Sequence, residues 1–282
     1  MELNEVKLTK QMSKVFGIAE HACKYDKSPC LTPEHLLIGC LDDGSYPIKE
    51  AIQKSGIDID SLKDSCHPIL ESLPFGFCEP IKTPICHSTK LVIDQALNYM
   101  RNYKQVFLNE GHVLKALIIS GHTDKILTPE QQNTFLRLAT VSRDMDLDLS
   151  VYSPQKQVCK NTRIVCTEDA DRLILFIKEE FGTRWIETIK QALERNLPSI
   201  FIAEDRSGDI IGFAAYDIHQ PGHFGPMGVA KHKRAEGIGE SLLHVCLEGM
   251  IRKGYKRVII DHAGPIEFYE KACNAKVIPT IE

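Results

Sequence analysis

The chain has 282 residues, 43% of them hydrophobic and 26% charged, with a net charge of −4. That balance describes an ordinary globular protein of about two domains at ~150 residues each, and no apolar run approaches the ~18 residues of a membrane span. Residues 1–154 carry 16 Lys and Arg against 20 Asp and Glu, and residues 155–282 carry 18 against 18, so neither half is basic enough to have nucleic acid as its main partner.

The N-terminus, MELNEVKLTKQMSK, lacks the basic-then-apolar pattern of a signal peptide, and a cytoplasmic protein is expected. Ten cysteines are present and no two are spaced C-x-x-C, so a zinc ribbon or redox pair has no local support. Several, such as Cys40 in LLIGCL, lie on apolar stripes and read as small buried hydrophobes in a reducing cell.

From the first helix onward the sequence repeats itself. A shift of 77 residues lays MSKVFGIAEHACKYDKSPCLTPEHLLIGCL over TKLVIDQALNYMRNYKQVFLNEGHVLKALI without a gap. Val15 meets Val92, Ala19 meets Ala96, Lys27 meets Lys104, Leu31 meets Leu108 and His35 meets His112. An ungapped run with its apolar positions aligned indicates a duplication. Met12, Val15, Phe16, Ala19, Ala22 and Cys23 recur three and four apart, which makes one face of a helix. Thr32-Pro33 is a helix start, a capping hydroxyl followed by proline at the first helical position. Further short helices are expected around Ala51-Ile52 and after SGID. His35 and His112 occupy one helix position in both repeats, with no second ligand spaced to join them, and read as structural rather than metal-binding.

"LTPEHLLIGCL", following an amphipathic helix, resembles the double-repeat N-terminal domain of the Clp ATPases. The resemblance covers roughly residues 5–150, more loosely in the second repeat. It implies an all-α duplicated bundle of four-helix repeats over residues 1–150, which docks adaptors or substrates and does no chemistry itself. No G-x-x-x-x-G-K-[ST] occurs in the sequence, so no unfoldase activity is expected.

VYSPQKQVCKNT is polar, contains proline and breaks the periodicity; a linker is placed at 151–161 and a second domain at 162–282. There strands and helices alternate: TRIVC, two helices, a hairpin of SIFIAED and IIGFAAYDIH about an RSGD turn, the strand FGPMGVA, the helix GESLLHVCLEGMIRKG, the strand RVIIDHA, the helix IEFYEKACN and a last strand AKVIP. The hairpin makes the sheet mixed rather than purely parallel.

Between FGPMGVA and the long helix lies KHKRAEGIG. A Gly-x-Gly alone is weak, but this one follows a strand and opens a helix. There the first backbone N–H groups lack intrahelical acceptors and attract anions. Lys231, Lys233 and Arg234 add positive charge, and glycine lets a phosphate approach the backbone. A dinucleotide fingerprint is excluded, since a third glycine and an acidic residue at the expected spacing are missing.

The order of elements and the pattern Arg234-x-x-Gly237-x-Gly239, five residues after Val229, resemble the GNAT family of acyl-CoA N-acyltransferases. FYEKACNAKVI resembles that family's C-terminal helix and strand. The resemblance covers roughly residues 162–282 and implies an α/β mixed-sheet fold that binds acetyl-CoA as co-substrate, with no metal. Met227, Gly228 and Val229 would pair with the pantetheine arm, and Arg234, Ala235, Glu236, Gly237, Ile238, Gly239 and Glu240 would hold the pyrophosphate, with Glu236 pointing outward. A backbone N–H on Met227–Val229 would polarise the thioester carbonyl. Tyr269 stands where many family members place the proton donor to the leaving thiolate; its other reading is an anchor to the core. Asp217 is the candidate base at the end of its strand, with solvated surface as the other reading. His219 and His223 read as loop residues flanking Pro221, and a basic amine can also lose its proton through water.

Many relatives carry one more strand after AKVIP. The resemblance therefore leaves the acceptor site open, or completed by a second copy in a homodimer or by the helical domain. RVIIDHAGP also lacks the asparagine that many relatives carry after this strand, which removes one cofactor contact. The reading is an acetyl-CoA-dependent N-acetyltransferase acting on an amine, with a helical module for a protein partner. The alternative is a non-catalytic acetyl-CoA-binding adaptor or regulator.

Overall fold

The computed structural model describes residues 3–65, 73–153, 161–194 and 199–280. It divides into two compact units, Met1–Val141 with Pro279–Glu282, and Ser142–Ile278. The boundary thus falls at Val141/Ser142 rather than at residue 150, and most of the expected linker, 154–160, lies outside the described residues. No helix among the described residues is long and apolar enough to cross a membrane.

The first unit is helical. In order it holds β1 (Lys7–Leu8), α1 (Lys10–Tyr25), α2 (Pro33–Asp42), α3 (Tyr46–Ser55), α4 (Ile59–Ser65), the hairpin β2 (Pro74–Cys78) and β3 (Ile81–Cys86), α5 (His87–Asn102), β4 (Phe107–Leu108), α6 (Glu110–Ile119) and α7 (Pro129–Ala139). The duplication is visible in the bounds: adding 77 to α1 and α2 gives α5 and α6. It is also visible in the pairing. Leu8 pairs with Leu108, and Leu31 bridges Ile85, so each repeat's early strand meets the other repeat's segment ahead of its second helix. Lys27 and Lys104, again 77 apart, both take positive φ.

The paired histidines are helix caps. His35 Nδ1 accepts the Thr32 backbone N–H at 2.9 Å, and its Nε2 lies 2.7 Å from Asp26 Oδ2. His112 Nδ1 accepts the Asn109 N–H at 3.2 Å, while Asn109 Oδ1 accepts the His112 N–H at 3.1 Å. Each imidazole thus takes the place of the glutamate of a capping box. A single apolar core runs through this unit, with Met12, Leu36, Leu37, Ile93, Leu97 and Phe135 among its fully buried members.

The second unit is a seven-stranded mixed sheet flanked by helices. Its elements are β5 (Arg143–Asp148), β6 (Thr162–Ile164), α8 (Ala170–Phe181), α9 (Ile186–Glu194), β7 (Ile200–Glu204), β8 (Ile210–Tyr216), β9 (His223–Val229), α10 (Ile238–Arg252), β10 (Arg257–Ala263), α11 (Ile266–Cys273) and β11 (Lys276–Val277). Strand order is β11-β5-β10-β9-β8-β7-β6. Only β9 and β10 run parallel; the other neighbours are antiparallel.

β5 corrects the sequence reading. The resemblance places residues 143–148 in the helical half, yet they lie between β10 and β11, antiparallel to both. The pattern RDMDLDL explains why. Met145, Leu147 and Leu149 point into the core with the period of two that a strand requires, while the intervening aspartates point outward. The place between β10 and β11 is therefore filled by a strand from upstream in the same chain. Two cores cover the sheet. One lies under α10 and α11, and the other, which includes Phe213, lies under α8 and α9.

Candidate functional site: a splayed strand pair ending on a glycine turn

β9 and β10 are in register at only two positions, Ile259 with His223 and Ile260 with Phe224. Beyond Phe224 the strands part. β9 continues to Val229 against β8, with Met227 opposite Ala214 and Val229 opposite Gly212. β10 continues to Ala263, opposite Arg143 of β5. The facing edges of Met227–Val229 and Asp261–Ala263 are left without a strand between them, and of the β9 edge Val229 O is taken by Arg234 Nε.

A bulge accompanies the parting. Tyr216 and Ala214 of β8 oppose Phe224 and Met227 of β9, so β9 carries one residue more across that interval, at Gly225-Pro226. The bulge switches the facing of β9. Phe224 before it and Met227 and Val229 after it all pack on the α10–α11 core. Gly228 instead faces α8: a Cβ there would lie 2.5 Å from Phe181 Cζ, so this close approach needs glycine.

β9 leads through Lys231–Lys233 to the turn Arg234–Gly237 and into α10. Gly237 caps the helix with φ 82°, a conformation that suits glycine, and as glycine it brings no side chain to the first N–H groups. Ala235 also takes positive φ, at 65°. Arg234 Nε donates to Val229 O at 3.0 Å and ties the turn to the strand. Burial lowers the Arg234 pKa from its ordinary value, with Glu180 of α8 opposing that shift. Glu180 also accepts the Lys231 N–H at 2.9 Å. Glu236 is exposed, and Glu240 lies in the first turn of α10. Met227, Gly228, Val229, Arg234, Ala235, Glu236, Gly237, Ile238, Gly239 and Glu240 are thus contiguous along one strand edge and one helix N-terminus. Uncapped N–H groups, close-approach glycines and flanking cations form a cradle suited to a phosphate-bearing chain that also pairs with a strand edge.

Tyr269 of α11 lies under this site. Its ring is edge-on to Phe224 at 6.2 Å and to Phe268 at 4.9 Å. Burial, with Cys273 nearby, pushes its pKa well up. Asp217 is placed differently. It sits at φ 59° past the end of β8, and its carboxylate accepts from Gly222 N at 2.8 Å, Lys253 Nζ at 3.0 Å and Tyr255 Oη at 3.2 Å. Its own N–H donates to His223 O at 2.8 Å. Those contacts make Asp217 the clasp of the β8–β9 turn, a position that leaves its carboxylate committed to three donors. Among the described residues no group of three or more His, Cys, Asp or Glu could hold a metal.

The glycine turn leads from a strand into the following helix, as the resemblance to the acyltransferases implies. Family comparison agrees: residues 167–275 match the acetyltransferase (GNAT) family, and residues 7–129 match the Clp repeat (R) N-terminal domain family. The chain therefore joins a Clp N-terminal domain to a GNAT acetyltransferase domain. Its fold is similar to that of a GCN5-related glucosamine N-acetyltransferase region in a fungal multi-domain GH3 β-N-acetylglucosaminidase, with TM-score 0.43 and 15% identity over 53% of this chain and 22% of that one. It is similar as well to the N-terminal domain of the caseinolytic protease associated chaperone ClpD from Arabidopsis thaliana, with TM-score 0.38 and 17% identity over 46% of this chain and 93% of that one. A GCN5-related N-acetyltransferase from Sphaerobacter thermophilus gives TM-score 0.40 and 22% identity over 52% of this chain and 53% of that one. The chain thus spans only about a fifth and about half of the two acetyltransferase chains. No curated protein matches the sequence.

Sequence reasoning missed the bulge, Phe181 against Gly228, and the neighbourhood of His223. Gly225-Pro226 inside an apparent strand was the available signal, since neither residue suits the interior of a ladder.

Proposed function

We propose that the protein transfers an acetyl group from acetyl-CoA to an amine, and that residues 1–141 recruit a protein partner while residues 142–278 carry the chemistry. One observation carries this reading: the splay of β9 from β10 runs directly into the uncapped N-terminus of α10. Met227–Val229 offer a free strand edge to the pantetheine amides, and the N–H groups of residues 237–240 offer the pyrophosphate its donors. Arg234, through its bond to Val229 O, holds turn and edge in one geometry.

In this reading a backbone N–H of the free edge polarises the thioester carbonyl. Tyr269 donates the proton that the departing thiolate needs. Its raised pKa keeps the phenol protonated in the resting site. Seven of the eight described cysteines are buried, which fits a reducing, cytoplasmic setting.

Calorimetric titration with acetyl-CoA tests the cradle, and thiol release against a panel of primary amines tests turnover. Saturable binding with amine-dependent thiol release is expected. No binding at high micromolar acetyl-CoA would defeat the reading, and binding without release for any amine would reduce the protein to an acetyl-CoA-binding regulator. Tyr269→Phe is expected to lower kcat by roughly 10²-fold; an unchanged rate near neutral pH removes the general-acid role.

A further inference from the structure

At the apex of the splay, His223 Nδ1 lies 2.7 Å from Asp261 Oδ1. His223 is the first residue of β9 and Asp261 follows the last pair that holds the two strands together. We infer that His223, held by Asp261, is the base that takes the proton from the attacking amine; this rests on the acetyltransferase reading above.

Facing places the pair. Phe224 and Ile260 point into the α10–α11 core, so their neighbours His223 and Asp261 point to the α8–α9 face of the sheet. Gly225, on the same side, comes close to Asp261: a Cβ built on it would lie 3.7 Å from Asp261 Cβ. Tyr269 packs on Phe224 and therefore belongs to the opposite face. Base and acid then stand on the two sides of one splay and do not compete for one proton.

The state of the ring follows from its partner. Asp261 accepts from Nδ1–H, which fixes the hydrogen on Nδ1 and leaves the Nε2 lone pair for a substrate. No described residue bonds Nε2. The side chains of His223 and Asp261 are 24% and 19% exposed, so the ring is sheltered yet reachable. The carboxylate also stabilises the imidazolium formed when Nε2 takes a proton.

The other histidines of this unit lack that arrangement. His219 is an exposed turn residue, His232 is exposed in the short 3-10 helix Lys231–Lys233, and the exposed His262 of β10 has its Nδ1 3.7 Å from Asp144 Oδ1, beyond hydrogen-bond length. His244 is buried within α10 against Tyr152. Asp217, through the turn it clasps and its bond to His223 O, acts as a positioning residue for the base.

The step balances. A free amine N–H gives its proton to His223 Nε2 as the nitrogen lone pair forms the new bond to the thioester carbonyl carbon. The C–S bond breaks with its electron pair going to sulfur, and Tyr269 Oη protonates the thiolate. Water returns the proton from His223 and restores Tyr269, so the net transfer is one proton from nitrogen to sulfur. The products are an amide and a thiol.

The test uses the full chain with acetyl-CoA and a panel of a polyamine, an amino sugar and a lysine peptide, following thiol release. His223→Ala is expected to lower kcat roughly 10²- to 10³-fold, with acetyl-CoA affinity within twofold of wild type and partial recovery in added imidazole. His223→Gln keeps polarity and volume close to histidine and should show the same loss if the alanine variant folds poorly. Asp261→Asn is expected to lower kcat roughly tenfold while KM for acetyl-CoA holds, a split that a loosened sheet would not give. Wild-type rates in both His223 variants would overturn the inference and leave the acetyltransferase reading standing. Absence of acetyl-CoA binding in the wild type would overturn both.

Discussion

Among the described residues two histidine–aspartate pairs lie at 2.7 Å, His35 with Asp26 in the helical unit and His223 with Asp261 in the acetyltransferase unit. The distance is the same and the surroundings are not. His35 is 1% exposed and both ring nitrogens are engaged, one by Asp26 and one by the Thr32 N–H. His223 keeps one nitrogen without a partner among the described residues and lies at the parting of two strands. A carboxylate–imidazole contact therefore says little by itself. What separates a helix cap from a candidate base is whether the second nitrogen is spent.

The most severe way to break the comparison is to remove the wall on which Asp261 stands. Leu147 of β5 is buried opposite Val258 of β10. Leu147→Asp would place an unpaired carboxylate in that core, at a cost of at least about 4 kcal/mol. Trp185 is the sole tryptophan and packs against Phe181 and Phe213, so its fluorescence reports this unit alone. The tryptophan transition is expected to shift to much lower urea and thiol release to disappear. An unchanged midpoint would mean that β5 is not an integral strand of the sheet.

The helical unit was legible because its information is local and doubled. The helices, the positive-φ lysines and the capped histidines all recur at the 77-residue offset. The hairpin β2–β3 was not legible, since Phe75 and Phe77 are exposed and no alternation marks a buried face. The second repeat also ends sooner: α7 leads straight to β5, and no helix in the described residues answers α4. In the acetyltransferase unit the glycine turn was readable because strand, turn and helix are adjacent in sequence. The dyad was not, because Asp261 lies 38 residues from His223 and only the parallel pairing of β9 with β10 brings them together. β5 carried a readable period of two, but its place ahead of a proline-containing linker assigned it to the wrong half.

Acid sharpens the contrast within the helical unit. The residue 77 places after Asp26 is Tyr103, whose ring centre lies 5.8 Å from that of His112. Desolvation, with Lys115 nearby, pushes the His112 pKa down to about 4. A histidine in the unfolded chain takes its proton near ~6.5. Between those values the unfolded state binds more protons, so stability falls as pH drops from about 6.5 to about 4, by up to about 3 kcal/mol. Urea unfolding followed by far-UV circular dichroism at pH 7, 5 and 4 measures that slope. His112→Gln keeps a capping side chain, as Gln131 does for α7, and should flatten it. An equal slope in the variant would assign the acid sensitivity elsewhere.

A smaller effect is expected from His35→Ala. The Thr32 N–H loses its acceptor and Asp26 loses its ring partner. A lost cap and a partner left unpaired together cost about 2 kcal/mol. The helical unit should melt earlier while amine-dependent thiol release at 25 °C stays within error of wild type. A matching loss of release would mean that this pair is more than a cap.

The smallest effect makes the sharpest comparison, because one substitution is applied to both pairs. Asp26→Asn leaves an oxygen where the carboxylate stood, and His35 Nδ1 is already committed as acceptor from Thr32. Nε2 then carries the hydrogen with either partner, and an amide oxygen can accept it. The loss is a charge-assisted bond at a position open to solvent on its aspartate side, under about 1 kcal/mol, read as a slight shift in the urea midpoint. Asp261→Asn makes the same exchange, but its histidine is asked to gain a second proton during turnover, and an amide stabilises that cation far less than a carboxylate. Its cost should therefore appear in kcat and not in the melt. If both asparagine variants changed only stability, or both changed only rate, the second nitrogen would not be what distinguishes the pairs.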